Sequence, residues 1–194
     1  MGGKTWAAYV CLEATFYGMG METEAAAARQ QADRAAATMA AALLPGGRGR
    51  PAVLGAGGSN SSIIPAIEGL VFPSHCGAAE ALEPNGRYKA YLAALRLHLS
   101  AVLKPGVCLF RDGGWKLSST SDNSWLSKVY LSQHVARKYL GLTPDGQADA
   151  AHVGWLLHPE QSVWSWSDQM LAGVAVGSRY YPRGVTSWLW LQES

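Results

Sequence analysis

The sequence predicts an all-α fold of helical hairpins, with a short β-hairpin and long loops. In several segments apolar residues recur at spacings of three and four, which is typical of amphipathic helices. Short turns that contain glycine separate these segments, so neighbouring helices are expected to pack antiparallel. The pattern favours part of an α/α barrel or toroid, in which helices stack in pairs and the loops at one end form a site. No fixed-period repeat supports a regular solenoid.

The first predicted hairpin joins the opening segment to an alanine-rich segment. Trp6, Tyr9 and Phe16 recur at helical spacing in the first helix. Glu22 and Glu24 fall in the first turn of the second helix, where the helix dipole favours acidic residues. The first helix has no clear capping residue in front of it, and its opening residues already resemble the middle of a packed face. We therefore expect the chain to begin inside a longer element.

A glycine-rich loop and a short helix are predicted next. The loop, residues 45–61, is long for a compact domain. The helix that follows, within residues 61–73, is expected to have Ser61 or Ser62 as its cap and Pro65 in its first turn.

Three more helices and one hairpin are predicted downstream. Residues 86–103 form a clear amphipathic pattern. Asp112–Gly114 lies between two short apolar arms, which predicts a tight hairpin turn. Residues 122–141 predict a long helix that ends at Gly141, and residues 148–158 predict a short one.

The composition favours large buried or partner-facing surfaces. Hydrophobic residues make up 48% of the 194 residues and charged residues 15%, below the roughly 25% that is usual for soluble domains. A net charge of +2 gives no ground for a nucleic-acid or membrane partner. Eight Trp and eight Tyr stand against three Phe. Such amphipathic rings suit a site that stacks on a ligand and hydrogen-bonds it, and they also suit a large core.

The cysteines are predicted to be free thiols. Cys11, Cys76 and Cys108 are widely spaced and lie among apolar residues. No CxxC pair is present, so zinc and thioredoxin-like functions are not indicated. Buried free thiols are typical of a reducing compartment. Because the sequence also shows neither a signal-peptide pattern nor an apolar run of about 18 residues, we predict a cytoplasmic protein.

The most polar stretch, residues 116–125, lies directly before a predicted helix. Ser121 or Asp122 is expected to cap that helix, which leaves the first N–H groups of the helix beside the loop. A polyhydroxylated ligand could then contact the carboxylate of Asp122, the amide of Asn123 and the indole ring of Trp125. An ordinary helix cap with a hydrophilic linker is the alternative interpretation.

Two more candidate sites lie near the end of the chain, which is otherwise expected to form loops with short extended pieces. Trp166 lies in an extended Trp–Ser alternation that ends at Asp168, so an aromatic plate stands beside a carboxylate. A buried edge strand is the alternative there. Arg179, Tyr180 and Arg183 belong to a glycine-bounded loop, in which arginine binds a ligand or hydrogen-bonds the carbonyl groups of the loop.

The sequence indicates neither a metal site nor a cofactor. The five histidines do not converge at ligand spacing, and His98 and His134 are expected to serve in packing. GxSxG, P-loop and dinucleotide-binding patterns are absent from the sequence.

The chain resembles glycoside hydrolase family 52, the bacterial β-xylosidases. The resemblance extends from Lys4 to Leu191, is weakest over residues 45–58, and rests on KTWAAYVCLEA, SSIIPAIEGLVFP, KLSSTSDNSWLSKVYLSQHVARKYLG and WSWSDQM…VGSRYYPRGVTSWLWL, in this order. It implies an (α/α)6 barrel and a retaining mechanism on β-xylosides. Residues 1–194 would then form a single domain, part of the barrel that corresponds to the C-terminal half of a catalytic domain.

The resemblance also implies where the catalytic groups lie. Both carboxyl groups of the family belong upstream of the matched stretch, and the acid/base directly precedes the helix that the chain enters at Lys4. No catalytic residue is therefore assigned here, and the isolated chain is expected to be inactive or weak. The expected substrate contacts are Asp122, Asn123, Trp125, Trp166 and Asp168, with Arg179, Tyr180 and Arg183 behind them.

Two other functions stay open. One is a non-catalytic carbohydrate-binding or interaction module. The other is an independent hydrolase that recruits acids of its own, such as Asp122 and Asp168, with Glu68 as a further candidate. Xylose or xylooligosaccharides are the predicted ligands. The chain is also expected to associate with the missing N-terminal half or with itself, because unpaired hairpins expose apolar faces.

Overall fold

The computed structural model describes residues 2–42, 50–51, 60–158 and 169–175. In this part of the chain helices dominate, so the predicted all-α class is confirmed. None of the described helices is long and apolar enough to cross a membrane. The α-helices are α1 (Gly2–Gly18), α2 (Glu22–Ala41), α3 (Phe72–His75), α4 (Lys89–Val102), α5 (Leu126–Leu140) and α6 (Gly146–Leu156), and two 3₁₀ helices span Ile64–Val71 and Ala79–Leu82.

Short strands form two small antiparallel sheets within the described residues. One sheet has two strands and the other has three, with β4 in the centre of the larger one. The two-stranded sheet consists of β1 (Arg50–Pro51) and β2 (Asn60–Ser61). The three-stranded sheet consists of β3 (Asn123–Trp125), β4 (Gln169–Leu171) and β5 (Val174–Ala175).

The predicted hairpin of α1 and α2 is confirmed, because the two helices pack along each other. Gly20, with a φ of 72°, supplies the left-handed residue of the turn between them. α2 ends at Ala41. The residues that α2 buries are mostly small, which lets α1 approach closely; they are Ala25, Ala28, Ala32, Ala36 and Met39.

Trp6 lies at the centre of the core. Its side chain is fully buried, and its ring makes edge-on contacts with the rings of Tyr88 and Tyr91 at centroid distances of 5.2 Å. Two glycines let α1 lie against the first 3₁₀ helix, because a Cβ at Gly69 would overlap the backbone of Gly3. α4 presents the predicted apolar face to this core, with Tyr91, Leu92, Leu95, Leu99 and Val102 buried.

The segment predicted to form a short helix is a 3₁₀ helix, and its expected cap is absent. Pro65 lies in its first turn as predicted, but Ile63 occupies the N-cap position and no side chain caps the helix. The reason lies in the preceding backbone, which is extended and bonded elsewhere: the Ser119 amide donates to the Ser62 carbonyl at 2.9 Å. Neither Ser61 nor Ser62 therefore acts as a cap.

Both helices predicted after the hairpin turn are present, but α5 begins at Leu126 rather than at residue 122, and α6 spans Gly146–Leu156 rather than residues 148–158. α5 ends with Gly141 in the left-handed region, at a φ of 67°, as predicted. α6 begins after Asp145, whose carboxylate accepts a hydrogen bond from the Gln147 amide at 3.0 Å. The predicted turn at Asp112–Gly114 is present, and its arms form a single bridge between Leu109 and Trp115 rather than a longer ladder.

His152 anchors α6 to this turn. Its ring is 1% exposed, and its Nε2 accepts a hydrogen bond from the Trp115 amide at 2.8 Å, so the ring is neutral. The neighbouring Trp155 donates from Nε1 to the Asp112 carboxylate at 2.7 Å. Burial lowers the pKa of His152 to about 4 from its ordinary 6.5.

The prediction of three free thiols is wrong for two of them. Cys11 on α1 and Cys76 after α3 form a disulfide, with their Cα atoms 5.5 Å apart. Cys108 is the free cysteine of the described residues; it is buried, and burial raises the pKa of its thiol to about 11. The disulfide was not predictable from the sequence, because the two cysteines are 65 positions apart and meet only when α1 packs on α3.

Reduction of the disulfide should lower the thermal stability of the chain. Closing a loop of 65 residues restricts the unfolded chain, which stabilises the fold by about 4 kcal/mol in the chain-entropy account. We expect thermal melts with a reducing agent to show a clearly lower Tm. The double variant Cys11→Ser/Cys76→Ser serves as the control, since it should melt low with or without reductant. A reductant effect of the same size in that variant would contradict the assignment.

Stability should also fall in acid because of His152. The native state holds this ring neutral down to a pH of about 4, whereas the unfolded chain binds the proton below about 6.5. The unfolding free energy should therefore decrease by up to about 3 kcal/mol as the pH falls through this window. Urea unfolding of the parent and of His152→Gln, which retains an acceptor but does not titrate, measures the effect. Equal pH slopes for the two proteins would refute it.

Candidate functional site

The three-stranded sheet presents one exposed face and one buried face. Along β3, Asn123 and Trp125 point outward and Ser124 points into the protein, where it is 2% exposed. On β4, Met170 lies opposite Ser124 and is fully buried. Trp125 lies opposite Gln169, so the outward face combines an indole ring with amide groups.

Asp122 does not cap α5, contrary to the prediction, and neither does Ser121. Trp125 occupies the N-cap position of α5, and no side chain caps the helix. The reason is the pairing of β3 with β4, which keeps the chain extended up to Trp125 and delays the start of the helix. The Asp122 carboxylate instead forms an ion pair with the ammonium group of Lys116 at 2.6 Å.

The small polar residues of the loop mostly bond to the loop itself. The Thr120 amide donates to the Ser118 hydroxyl at 3.3 Å, and the Asn123 amide donates to the Ser121 hydroxyl at 3.2 Å. The Ser124 hydroxyl accepts from the buried Leu117 amide at 3.2 Å. These hydroxyl groups therefore shape the loop, and they agree with the alternative interpretation of a hydrophilic linker.

The side chains on the outward face of the three-stranded sheet are placed to contact a ligand. Trp125 is 39% exposed, which leaves a large part of its indole ring accessible. Beside it, the Gln169 side-chain nitrogen donates to the Asn123 side-chain oxygen at 3.2 Å. This bond fixes the orientation of the two amides relative to each other.

A charged cluster joins this face to the core. The Glu68 carboxylate is only 4% exposed and forms an ion pair with Lys4 of α1 at 3.0 Å. The Lys128 ammonium, in the first turn of α5, lies 4.0 Å from the other Glu68 oxygen. The same ammonium lies over the Trp125 ring, 5.3 Å from its centroid. Lys4, Glu68, Lys128 and Trp125 thus form a continuous row.

The structure unites some of the predicted contacts and leaves others untested. Asn123 and Trp125 lie on β3, and Asp122 directly precedes this strand. Sequence reasoning missed two neighbours. Lys128 follows Trp125 by three residues, a spacing at which helical side chains meet, whereas nothing local reveals Gln169. The remaining predicted contacts lie outside the described residues; they are Trp166, Asp168, Arg179, Tyr180 and Arg183.

The histidines serve in packing, as predicted for two of them. The Nε2 of His98 lies 2.8 Å from the Ile63 carbonyl, and the His134 ring lies edge-on to the ring of Tyr139. Within residues 2–42, 50–51, 60–158 and 169–175, no group of three or more His, Cys, Asp or Glu side chains is arranged to hold a metal ion.

A cavity of about 550 Å³ lies away from the sheet, between α1, α2 and the second 3₁₀ helix. Arg87 forms part of its wall, but its guanidinium is engaged by Glu13 on α1, Asp33 on α2 and the Arg29 carbonyl, at 2.7 to 3.0 Å. The remaining wall combines several alanines with further charged side chains. The Arg87 network joins α1 and α2 to the residues just before α4. Because predicted contacts lie on β3, the sheet face is the stronger candidate site.

These features define an all-α protein of packed helical hairpins with an exposed aromatic and amide face on a small sheet. No protein-family model matches the chain. Over 196 aligned residues it is 58% identical to a β-xylosidase from Geobacillus stearothermophilus. The match includes the whole chain, which spans 28% of the length of that protein. The predicted similarity to a β-xylosidase is thereby confirmed.

Proposed function

We propose that the chain forms part of the (α/α)6 catalytic barrel of a family 52 glycoside hydrolase and contributes the wall that holds the xyloside. The observation that carries this proposal is the 58% identity to a β-xylosidase along the whole chain. Because the chain spans 28% of that relative, the complete activity requires residues that the chain does not supply. Xylose and xylooligosaccharides are the proposed ligands.

The sheet face supports a role in sugar binding. A pyranose ring has apolar C–H faces and a polar rim, so it packs on an indole plate while amides at the edge bond its hydroxyl groups. Trp125 supplies the plate, and Asn123 and Gln169 supply the amides. Asp122, which is exposed beside them, adds a carboxylate acceptor that Lys116 holds in place.

The described acids of this face do not have the environment of a catalytic pair. Retaining hydrolysis needs two carboxyl groups about 5 Å apart, one as nucleophile and one as acid/base. Asp122 is paired with Lys116 and Glu68 with Lys4, at 2.6 and 3.0 Å. We propose that both catalytic carboxyl groups belong to the upstream part of the barrel, as the family resemblance implies.

A non-catalytic carbohydrate-binding module is the second candidate function. The engagement of Asp122 and Glu68 by lysines favours it, because a module of this kind needs the sugar wall and no reacting carboxyl pair. The two candidates differ in one respect. A part of the barrel gains hydrolysis when the upstream part is added, whereas a module binds sugar without turnover in either case.

The proposal also concerns the partners of the chain and its cellular compartment. We propose that the chain associates with the upstream part of the barrel, or with itself, through apolar side chains that it exposes, including Leu12, Tyr17, Met19, Phe72 and Leu97. A cytoplasmic location is still a prediction from the sequence. The Cys11–Cys76 disulfide argues against it, because reducing compartments keep such thiols separate.

The isolated chain should not hydrolyse aryl β-xylosides. Without two carboxyl groups in register with the anomeric carbon, neither displacement step is accelerated. We expect release of nitrophenol from a nitrophenyl β-xyloside to equal that of buffer, and to rise by orders of magnitude when the upstream part of the Geobacillus relative is added in trans. Turnover by the chain alone that Asp122→Asn or Glu68→Gln abolishes would overturn this proposal and make that residue catalytic.

Sugar binding should depend on the Trp125 ring. Trp125→Ala removes the plate, and we expect roughly tenfold weaker binding of xylotriose, equivalent to about 1.4 kcal/mol. Tyr17→Ala is the matched control, since Tyr17 is a highly exposed aromatic residue on α1 rather than on the sheet. Isothermal titration calorimetry measures both variants. Equal losses at the two positions would mean that the sugar does not bind at the sheet face.

A further inference from the structure

The starting observation is an incompletely bonded carboxylate inside the protein. Glu68 Oε2 is paired with Lys4, but Oε1 is buried and has no hydrogen-bond partner within the described residues. A buried carboxylate oxygen without a hydrogen bond is costly, so a nearby donor is strongly attracted to it. The nearest cation on that side is Lys128, whose Nζ lies 4.0 Å away.

The Lys128 ammonium is shared between two incomplete interactions. A charge-assisted hydrogen bond requires about 2.8 Å, so the ammonium stops roughly 1 Å short of one with Glu68. It also lies near the outer limit of a cation–π contact with Trp125, at 5.3 Å from the ring centroid. Since the Lys128 side chain is 37% exposed, its N–H groups remain accessible to a ligand that approaches the ring.

We infer that Lys128 is a specificity-determining residue of the sugar site, and that Glu68 is the positioning residue that holds it beside the Trp125 ring. This inference rests on the proposed function, because it requires a sugar stacked on Trp125. An ammonium has three donors. One closes the gap to Glu68 Oε1, and another donates to a hydroxyl or ring oxygen at the rim of the stacked pyranose. The site therefore selects rings that present an acceptor oxygen at that edge.

Lys4 completes the arrangement from the opposite side. It engages Glu68 Oε2, so that the carboxylate is fixed and directs Oε1 at Lys128. The close contact of Gly3 with Gly69 sets the spacing between these two elements. Lys4 and Lys128 contribute two positive charges and Glu68 contributes one negative charge. The cluster therefore has a net positive charge, which favours an oxygen-rich ligand.

The test is calorimetric binding of xylotriose to four single variants and one double variant of the chain, each first shown to melt cooperatively. Lys128→Met should weaken binding about tenfold, and Lys128→Arg should recover most of that loss. Lys104→Met, which removes an exposed lysine from outside the cluster, should leave binding unchanged. Glu68→Gln should weaken binding in the parent, and it should have no further effect in the Lys128→Met background, because it acts through Lys128.

The possible results distinguish a failure of the role inferred for Lys128 from a failure of the proposed sugar site. Unchanged or tighter binding in Lys128→Met overturns the inference alone, provided that Trp125→Ala still loses binding. Additive losses for Glu68→Gln and Lys128→Met would make Glu68 merely structural. Failure of the parent chain to bind xylotriose overturns the proposed site together with this inference. If Glu68→Gln does not fold, the exposed Lys128→Met and Lys128→Arg pair still tests the role of the lysine.

Discussion

The contact between the start of α1 and the 3₁₀ helix at Ile64–Val71 organises the fold. It requires glycine at position 69, because a Cβ there would overlap the backbone of Gly3. This approach buries Trp6 against Tyr88 and Tyr91, and it therefore brings α4 into the core. It also brings Lys4 to Glu68, so the same contact that closes the core creates the charged cluster beside the site.

The second organising interaction is the pairing of β3 with β4. It keeps residues 123–125 extended and places Trp125 at the boundary between a strand and a helix. A residue at such a boundary belongs to both elements. Through the strand, Trp125 is aligned with the amides of Asn123 and Gln169, and through the helix it is followed at one turn by Lys128. An aromatic plate, two amides and a cation are thus assembled from two short stretches of chain.

The environment of the acids separates binding from catalysis at this face. A catalytic carboxyl group must be free to accept or donate a proton at the anomeric centre, whereas Asp122 and Glu68 are held in ion pairs with lysines. Such pairs suit carboxylates that orient their neighbours. The chain spans 28% of the β-xylosidase that it resembles, and the proposed role of this face is to bind sugar rather than to react with it.

The all-α class, the α1–α2 hairpin, the apolar face of α4 and the end of α5 at Gly141 were predictable from the sequence, because each depends on periodicity or on one turn residue. The sequence also indicated Asn123 and Trp125 as candidate contacts from their residue types, and both are exposed on β3. Only the tertiary structure decided which distant groups meet. Cys11 bonds to Cys76 across 65 positions, Gln169 reaches Asn123 across 46, and Asp122 turns to Lys116 because β4 delays the helix that it was predicted to cap. The physical reason is that helix formation is local, whereas pairing between distant residues depends on how the helices pack.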